Sequence, residues 1–222
     1  MKLAVAFRML ALGVITLAPT GGHAFDSFSV ETTFTEWVDD TAPAAVAAPA
    51  QSIATFGPFR VLSEQRVELN GSIESDTPAQ FRALLRAFPL IRQIDMVECP
   101  GTGDDEANLA LARMVRKAGI TTFVPNGGSV RSGGVELFLA GVERRAEPGA
   151  QFAVHSWVDE DGLEPDDYAE SDPVNQEYVA YYREMGMSAD KAKAFYDLTN
   201  SVPHDEALYL KPVDIASFIP LN

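Results

Sequence analysis

The residues from 127 to 141 read Gly-Gly-Ser-Val-Arg-Ser-Gly-Gly-Val-Glu-Leu-Phe-Leu-Ala-Gly, and this stretch decides how the chain is interpreted. A glycine-rich turn leads into Ser132, and an apolar run that favours a buried helix follows it. Serine chemistry needs a hydroxyl on a tight turn, backbone N–H groups that can hold an oxyanion, and an imidazole that accepts the proton. Because Gly133 and Gly134 carry no Cβ to block a substrate carbonyl, the pattern predicts a nucleophile at Ser132.

Two other interpretations of this stretch stay open at the level of sequence. Serine is a favoured N-cap, so Ser132 could simply begin the helix. Ser129 lies on the same loop and is a competing nucleophile.

Histidine is scarce in this chain, which limits where a general base can lie. Only three histidines are present, and after His23 near the N-terminus the next are His155 and His204. His155 follows an apolar run from 151 to 154 that is typical of a strand. A catalytic imidazole also needs a group that orients its ring, and Asp205 and Glu206 are candidates that spacing alone does not separate.

A second glycine loop, Cys99-Pro100-Gly101-Thr102-Gly103, follows a predicted strand at 93–99. Ligands of open α/β sheets bind outside the carboxyl ends of the strands. We therefore expect the backbone of Gly101 or Thr102 to help the Gly133 amide hold an oxyanion. The other interpretation is an ordinary turn in which glycine supplies a positive φ.

Strand and helix patterns alternate along the chain, which predicts an α/β fold with a mainly parallel sheet and crossover helices. The predicted strands include 93–99, 120–124 and 151–154. Predicted helices cover 77–88 and 107–118, and the chain from 172 onward is expected to be mostly helical, at 174–185 and 189–198.

The N-terminus has the features of an exported protein. Lys2 and Arg8 precede a short apolar stretch, and Gly22-His23-Ala24 is a small-x-small cleavage site, so residues 1–24 are predicted to be a signal peptide. Residues 25–55 contain an Ala/Pro-rich stretch and are predicted to be a flexible linker, and 56–222 form one domain. The expected location is the periplasm, or the medium after secretion, with no membrane span once the signal peptide is cleaved.

Composition excludes several classes of function. The net charge is −15, and loss of the two basic residues of the signal peptide takes it to −17, which argues against nucleic-acid binding. The one cysteine, Cys99, has apolar neighbours and is expected to be buried and inert. The two histidines that follow the predicted signal peptide and the one cysteine give no metal-ligand spacing, so we expect neither metal nor cofactor. The acidic run from 159 to 172 is interpreted as a solvated surface insertion.

The order of these motifs resembles the Clp protease/crotonase superfamily, especially its exported, periplasmic bacterial branch. Residues 97–103 look like that family's oxyanion loop, 132–141 like its nucleophile helix, and 148–157 like the strand that carries its catalytic histidine. The segment 199–210 resembles the region of the triad acid, with Asp205 nearest the expected position. The resemblance implies a spiral of ββα units and a Ser132–His155–Asp205 hydrolase, in particular a peptidase, which often forms homo-oligomers.

Departures from the family pattern define the alternatives. Arg131 stands where the family has a small residue, and Thr102 replaces a glycine of the oxyanion loop. These features favour a catalytically inactive binding module of the cell envelope on the same fold. An acyl-CoA enzyme is disfavoured by the signal peptide and by the acidic composition. The leading prediction is an exported serine hydrolase that acts on a peptide or an ester.

Overall fold

A computed structural model describes residues 52–222, which form nine β-strands and six α-helices. The strands are β1 (Ala54–Phe56), β2 (Phe59–Val61), β3 (Arg66–Asn70), β4 (Gln93–Cys99), β5 (Thr121–Val124), β6 (Ser129–Arg131), β7 (Arg144–Ala146), β8 (Gln151–Val154) and β9 (Leu208–Leu210). The helices are α1 (Thr77–Ala87), α2 (Asp105–Lys117), α3 (Gly133–Leu139), α4 (Pro173–Glu184), α5 (Ala189–Thr199) and α6 (Pro212–Ala216). The predicted signal peptide and all but the last four residues of the predicted linker lie outside the described residues. The predicted domain boundary at residue 56 coincides with the end of β1.

The nine strands form one sheet that forks at β4. The first half of β4 pairs in parallel with β5, and its last residues, Glu98 and Cys99, pair in parallel with Ser129 and Val130 of β6. Beyond the fork, β5 pairs with β7 and β6 pairs with β8, again in parallel. Antiparallel pairing is confined, within the described chain, to the two ends of the sheet, at β1–β2–β3 and at β8–β9. The prediction of a mainly parallel α/β fold is therefore confirmed.

The fork explains how distant parts of the sequence meet at one edge. Strands β4, β6 and β8 are neighbours and run in the same direction, so their carboxyl ends lie side by side. The segments that leave these ends are the loop after Cys99, the turn at Ser132 and the residue His155. Three segments that the sequence analysis selected separately are thus brought to the same edge of the sheet.

Helices pack against these strands and against one another. Helix α3 is buried along its whole length and packs against α2. Helices α4 and α5 pack together and contribute the buried rings of Tyr181, Tyr182 and Phe195. Among residues 52–222, no helix combines the length and the apolar character that a membrane crossing requires.

The buried side chain of Arg144 links helix α3 to helix α4. Its side chain is buried, and its guanidinium donates hydrogen bonds of 2.6 Å to the backbone oxygens of Leu139 and Met185. Those carbonyls lie at the carboxyl ends of α3 and α4, where helix carbonyls lack partners within the helix. Burial lowers the pKa of Arg144 to about 10, so the group still carries its charge at neutral pH.

Candidate active site

Ser132 occupies a strained backbone conformation between β6 and α3. Its φ is +48° and its ψ is −134°, and it is the one non-glycine residue with positive φ in the described chain. Such a conformation costs about 1–3 kcal/mol in a residue that has a Cβ, and it persists only where the surroundings enforce it. Here the backbone N–H donates to the oxygen of Ala153 and the backbone oxygen accepts from Val135 N–H, so both sides of the turn are fixed.

The hydroxyl of Ser132 does not act as a helix cap. Ser132 occupies the N-cap position of α3, but its side chain makes no capping hydrogen bond. The alternative in which this serine merely begins the helix therefore leaves both the strain and the free hydroxyl unexplained. The competing Ser129 lies on β6, where its Oγ accepts a hydrogen bond of 2.5 Å from Arg131. Arg131 also forms an ion pair with Glu98 at 2.6 Å. Ser132 lines a cavity of about 260 Å³, and neither Ser129 nor Arg131 does.

The glycine loop after β4 packs directly against Ser132. A Cβ built on Gly101 would lie 2.9 Å from the Ser132 Cβ, and one built on Gly133 would lie 2.5 Å from the Thr102 Cγ2. Gly101 has a φ of +132° and does not line the cavity. Thr102 and Gly133 do line it. Of the three residues expected to hold an oxyanion, these two have the favourable placement.

Thr102 has a structural reason to replace a small residue. Its Oγ1 accepts a hydrogen bond from Asp104 N–H and lies 2.8 Å from the Asp104 backbone oxygen, so the hydroxyl closes the turn into α2. Its backbone pairs with Ile73 in an isolated bridge. Cys99, at the start of this loop, is fully buried as predicted, and burial raises the pKa of its thiol to about 12.

His155 faces the same cavity as Ser132. Its Nδ1 lies 2.8 Å from the backbone oxygen of the next residue, Ser156. A carbonyl can only accept, so Nδ1 carries the proton and Nε2 of the neutral ring is left as the acceptor. His204 makes the same contact at 2.9 Å, and the two rings meet edge-on with centroids 4.6 Å apart.

Asp205 lies in an exposed turn after His204 and does not line the cavity. Its carboxylate has no hydrogen bond or ion pair with any residue in the range 52–222. Glu206 is also exposed, and its backbone N–H bonds to the oxygen of Pro203. The structure thus brings Ser132, Thr102, Gly133 and His155 together, whereas the oxygen that faces Nδ1 of His155 comes from a backbone carbonyl.

The site is a cavity of about 260 Å³, and it includes residues that the sequence analysis did not assign to it. Asn108 of α2 donates from Nδ2 to the backbone oxygen of Gly133 at 2.7 Å. Glu136 lies one turn after Ser132 and accepts a hydrogen bond of 2.6 Å from the Tyr182 hydroxyl. Its signal in the sequence is a single carboxylate within the otherwise apolar run from 135 to 139.

Burial governs the acidity of Glu136. Glu136 is 7 % exposed, and the loss of solvent raises the pKa of its carboxyl group to about 7. The hydrogen bond from Tyr182 lowers this pKa, but its effect is smaller than that of burial. Tyr182 is fully buried as well, and its pKa lies well above the usual value for the same reason. The cavity therefore contains a carboxyl group that changes charge close to neutral pH.

The fold is that of ClpP-type proteins. A point mutant of ClpP1 from Listeria monocytogenes matches with a TM-score of 0.51 and 18% identity over 72% of this chain and 90% of that one. The 1510-N membrane-bound stomatin-specific protease in complex with a substrate peptide matches with a TM-score of 0.48 and 18% identity over 71% and 72%. The 1510-N protease from Pyrococcus horikoshii, described as specific for a stomatin homolog, gives 0.45 and 15% over 70% and 69%.

No family model matches the sequence, and no curated protein matches it by sequence. The structural similarity therefore shows the fold alone.

Proposed function

We propose that the protein is a serine hydrolase of peptidase type, with Ser132 as the nucleophile and His155 as the general base. The observation that carries this proposal is the backbone of Ser132, which is held at a φ of +48° with a hydroxyl that caps nothing, in a cavity that also contains His155. A strained serine on a sharp strand-to-helix turn is the arrangement that exposes a nucleophilic Oγ.

The first step follows from the tautomer of His155. Nε2 takes the proton of Ser132 Oγ as that oxygen attacks the substrate carbonyl, and the imidazolium then gives the proton to the leaving group. The Ser156 carbonyl holds Nδ1–H throughout. The negative oxygen of the tetrahedral intermediate is placed against the backbone N–H of Gly133, which as the first residue of α3 has no acceptor within the helix, and against that of Thr102.

The resemblance and the geometry differ on which group orients His155. Asp205 remains the acid that the resemblance implies, but the geometry favours the Ser156 carbonyl as the group that orients His155. The same observation favours the second candidate function, an inactive binding module, because a neutral carbonyl stabilises an imidazolium less than a carboxylate does.

A fluorophosphonate probe separates these two functions. We expect the probe to label the protein, and the labelling to be lost in both Ser132→Ala and His155→Ala. Ser129→Ala is the matched control on the same loop and should be labelled like the parent protein. A folded parent protein that takes up no probe would overturn the hydrolase and favour the inactive binding module instead.

We further propose that the protein is exported to the periplasm, on the strength of the charged and apolar segments before Ala24. Cell fractionation, with mass spectrometry of the purified N-terminus, tests this. A mature chain that begins at Phe25 is the expected result, and a chain retained in the cytoplasm with Met1 intact would overturn it.

A further inference from the structure

The cavity beside Ser132 is lined by negative and hydrogen-bond-accepting groups. Three carboxylates line it, from Asp104 and Asp105 at the start of α2 and from Glu136 of α3. None of the described residues that line it is a lysine or an arginine. Asp105 is exposed and Glu136 is buried, so acidic side chains extend from the mouth of the cavity to its inner wall, where a bound cation would favour the charged form of Glu136.

Asn108 supplies an independent sign that a hydrogen-bond donor is missing. Asn108 is 1 % exposed, and its Oδ1 is buried without a hydrogen-bond partner among the described residues. Its orientation is fixed, because Nδ2 must face the Gly133 oxygen to which it donates. An unsatisfied buried acceptor costs about 1–3 kcal/mol, and Asn108 is one of the residues that line the cavity, so a ligand that brings N–H groups would relieve this cost.

Outside the nucleophile and the proposed oxyanion donors, the side-chain donors of the aromatic residues in the cavity wall are already used. The Tyr182 hydroxyl bonds to Glu136, and the Tyr178 hydroxyl bonds to Asp105. Trp157 donates to the Tyr196 hydroxyl, which in turn donates to Asn175. The wall therefore offers a ligand carboxylates, an amide oxygen and the faces of aromatic rings, a combination that favours a cation.

We propose that Glu136 determines substrate specificity, and that the cavity takes the lysine or arginine side chain of the residue whose carbonyl Ser132 attacks. This inference rests on the proposed function, since it names the substrate class of the same site. Glu136 lies one helical turn from Ser132, which is the distance that a long basic side chain bridges when its backbone lies at the nucleophile. Pockets that hold drug-sized ligands have volumes of about 300 Å³ or more. One lysine or arginine side chain is smaller than such a ligand, so a cavity of about 260 Å³ has room for it.

Binding to a chain that cannot turn over tests the inference separately from catalysis. In a Ser132→Ala background, calorimetry would compare acetyl-Ala-Ala-lysine amide with the norleucine amide, which has a similar length and no charge. We expect the lysine peptide to bind at least tenfold more tightly. Adding Glu136→Gln, which keeps an acceptor for Tyr182, should reduce the preference to less than twofold. Glu143→Gln is the charge-matched control, because Glu143 is exposed and pairs with Arg145 away from the cavity.

The outcomes separate the two proposals. Equal binding of the two peptides to the Ser132→Ala chain would overturn the basic-substrate inference even if the parent protein reacts with the fluorophosphonate probe. A lysine preference that survives Glu136→Gln would also overturn it, since the charge would then come from elsewhere. A lysine preference that depends on Glu136 supports the inference, and failure of the parent protein to be labelled would in that case count against the hydrolase alone.

Discussion

The rings of His155 and His204 meet edge-on, and the Nδ1 atoms of both lie within 2.9 Å of one oxygen, the backbone carbonyl of Ser156. Because each Nδ1–H donates to this carbonyl, the carbonyl sets the tautomer and the orientation of both rings. Ser156 is itself held by a hydrogen bond from its N–H to the backbone oxygen of Val202, so the acceptor belongs to rigid backbone. His155 is therefore oriented without a carboxylate.

Removal of Asp205 tests whether this carbonyl is sufficient. We expect Asp205→Ala to react with the fluorophosphonate probe at a rate within twofold of the parent protein, because Asp205 is exposed and does not line the cavity. His155→Ala should lower the rate by about 100-fold or more, the usual contribution of a general base. Glu206→Ala is the neighbouring control. A loss in Asp205→Ala as large as that in His155→Ala would restore the carboxylate as the orienting group.

Substitution of Ser132 should reveal the strain in its backbone. At a φ of +48°, glycine avoids the cost that any Cβ incurs, so we expect Ser132→Gly to be more stable than Ser132→Ala by about 1 kcal/mol after the greater freedom of glycine in the unfolded chain is included. Chemical denaturation of the two variants measures the difference. The same pair at Ser129, within β6, should show the opposite order. If alanine were the more stable residue at both positions, the backbone at 132 would not be strained.

Much of the fold could be predicted because its longer elements have clear hydrophobic patterns. The expected strands at 93–99 and 151–154 have the bounds that the structure shows, and the helix after Ser132 begins where it was predicted. Strands β1, β6, β7 and β9 were missed. Each has three residues, too few for a pattern, and each forms only because a partner strand supplies its hydrogen bonds.

The site was predictable in part for the same reason. Ser132 and His155 follow recognisable strands. The contact between His155 and His204 has no local pattern, because it forms only where His204 meets the carbonyl of Ser156, 48 residues earlier in the chain. Glu136 and Asn108 lie within amphipathic or apolar helices, where sequence alone does not show which polar side chain faces a cavity. Only the packing of α2, α3 and α4 around one space identifies them.

Arg144 should contribute more to stability than any exposed arginine nearby. Arg144→Ala removes the donors of two buried carbonyls, at Leu139 and Met185, and leaves both without the bonds that join α3 to α4. We expect a loss of about 3 kcal/mol in the free energy of unfolding, or roughly 10 °C in Tm. Arg145→Ala is the matched control, because that side chain is half exposed and its one ion pair among residues 52–222 is with Glu143. Equal effects of the two substitutions in thermal unfolding would contradict this account.

Glu136 should make the stability of the protein depend on pH in the neutral range. Its pKa is raised from 4.5 to about 7, so the native state favours the protonated carboxyl, and stability is greatest below the unfolded pKa. As the pH rises from about 4.5 to 7, the unfolded chain releases the Glu136 proton more readily than the native protein does. The free energy of unfolding therefore falls by about 3 kcal/mol over this range. The groups that face Glu136 are Tyr178, Tyr181 and Tyr182 of α4 and Asp105 of α2. None of the three tyrosines titrates in this range, because burial raises the pKa of each.

Glu136→Gln isolates this contribution from the other carboxyl groups of an acidic protein. The difference in unfolding free energy between variant and parent should increase from pH 5 to pH 7.5 and then level off, with the variant becoming relatively more stable. Glu143→Gln, at an exposed position, should give a difference that stays flat over the same range. Denaturant titrations at five or six pH values are sufficient, and a flat difference for Glu136→Gln would mean that the buried carboxyl keeps the same charge in the folded and unfolded chain.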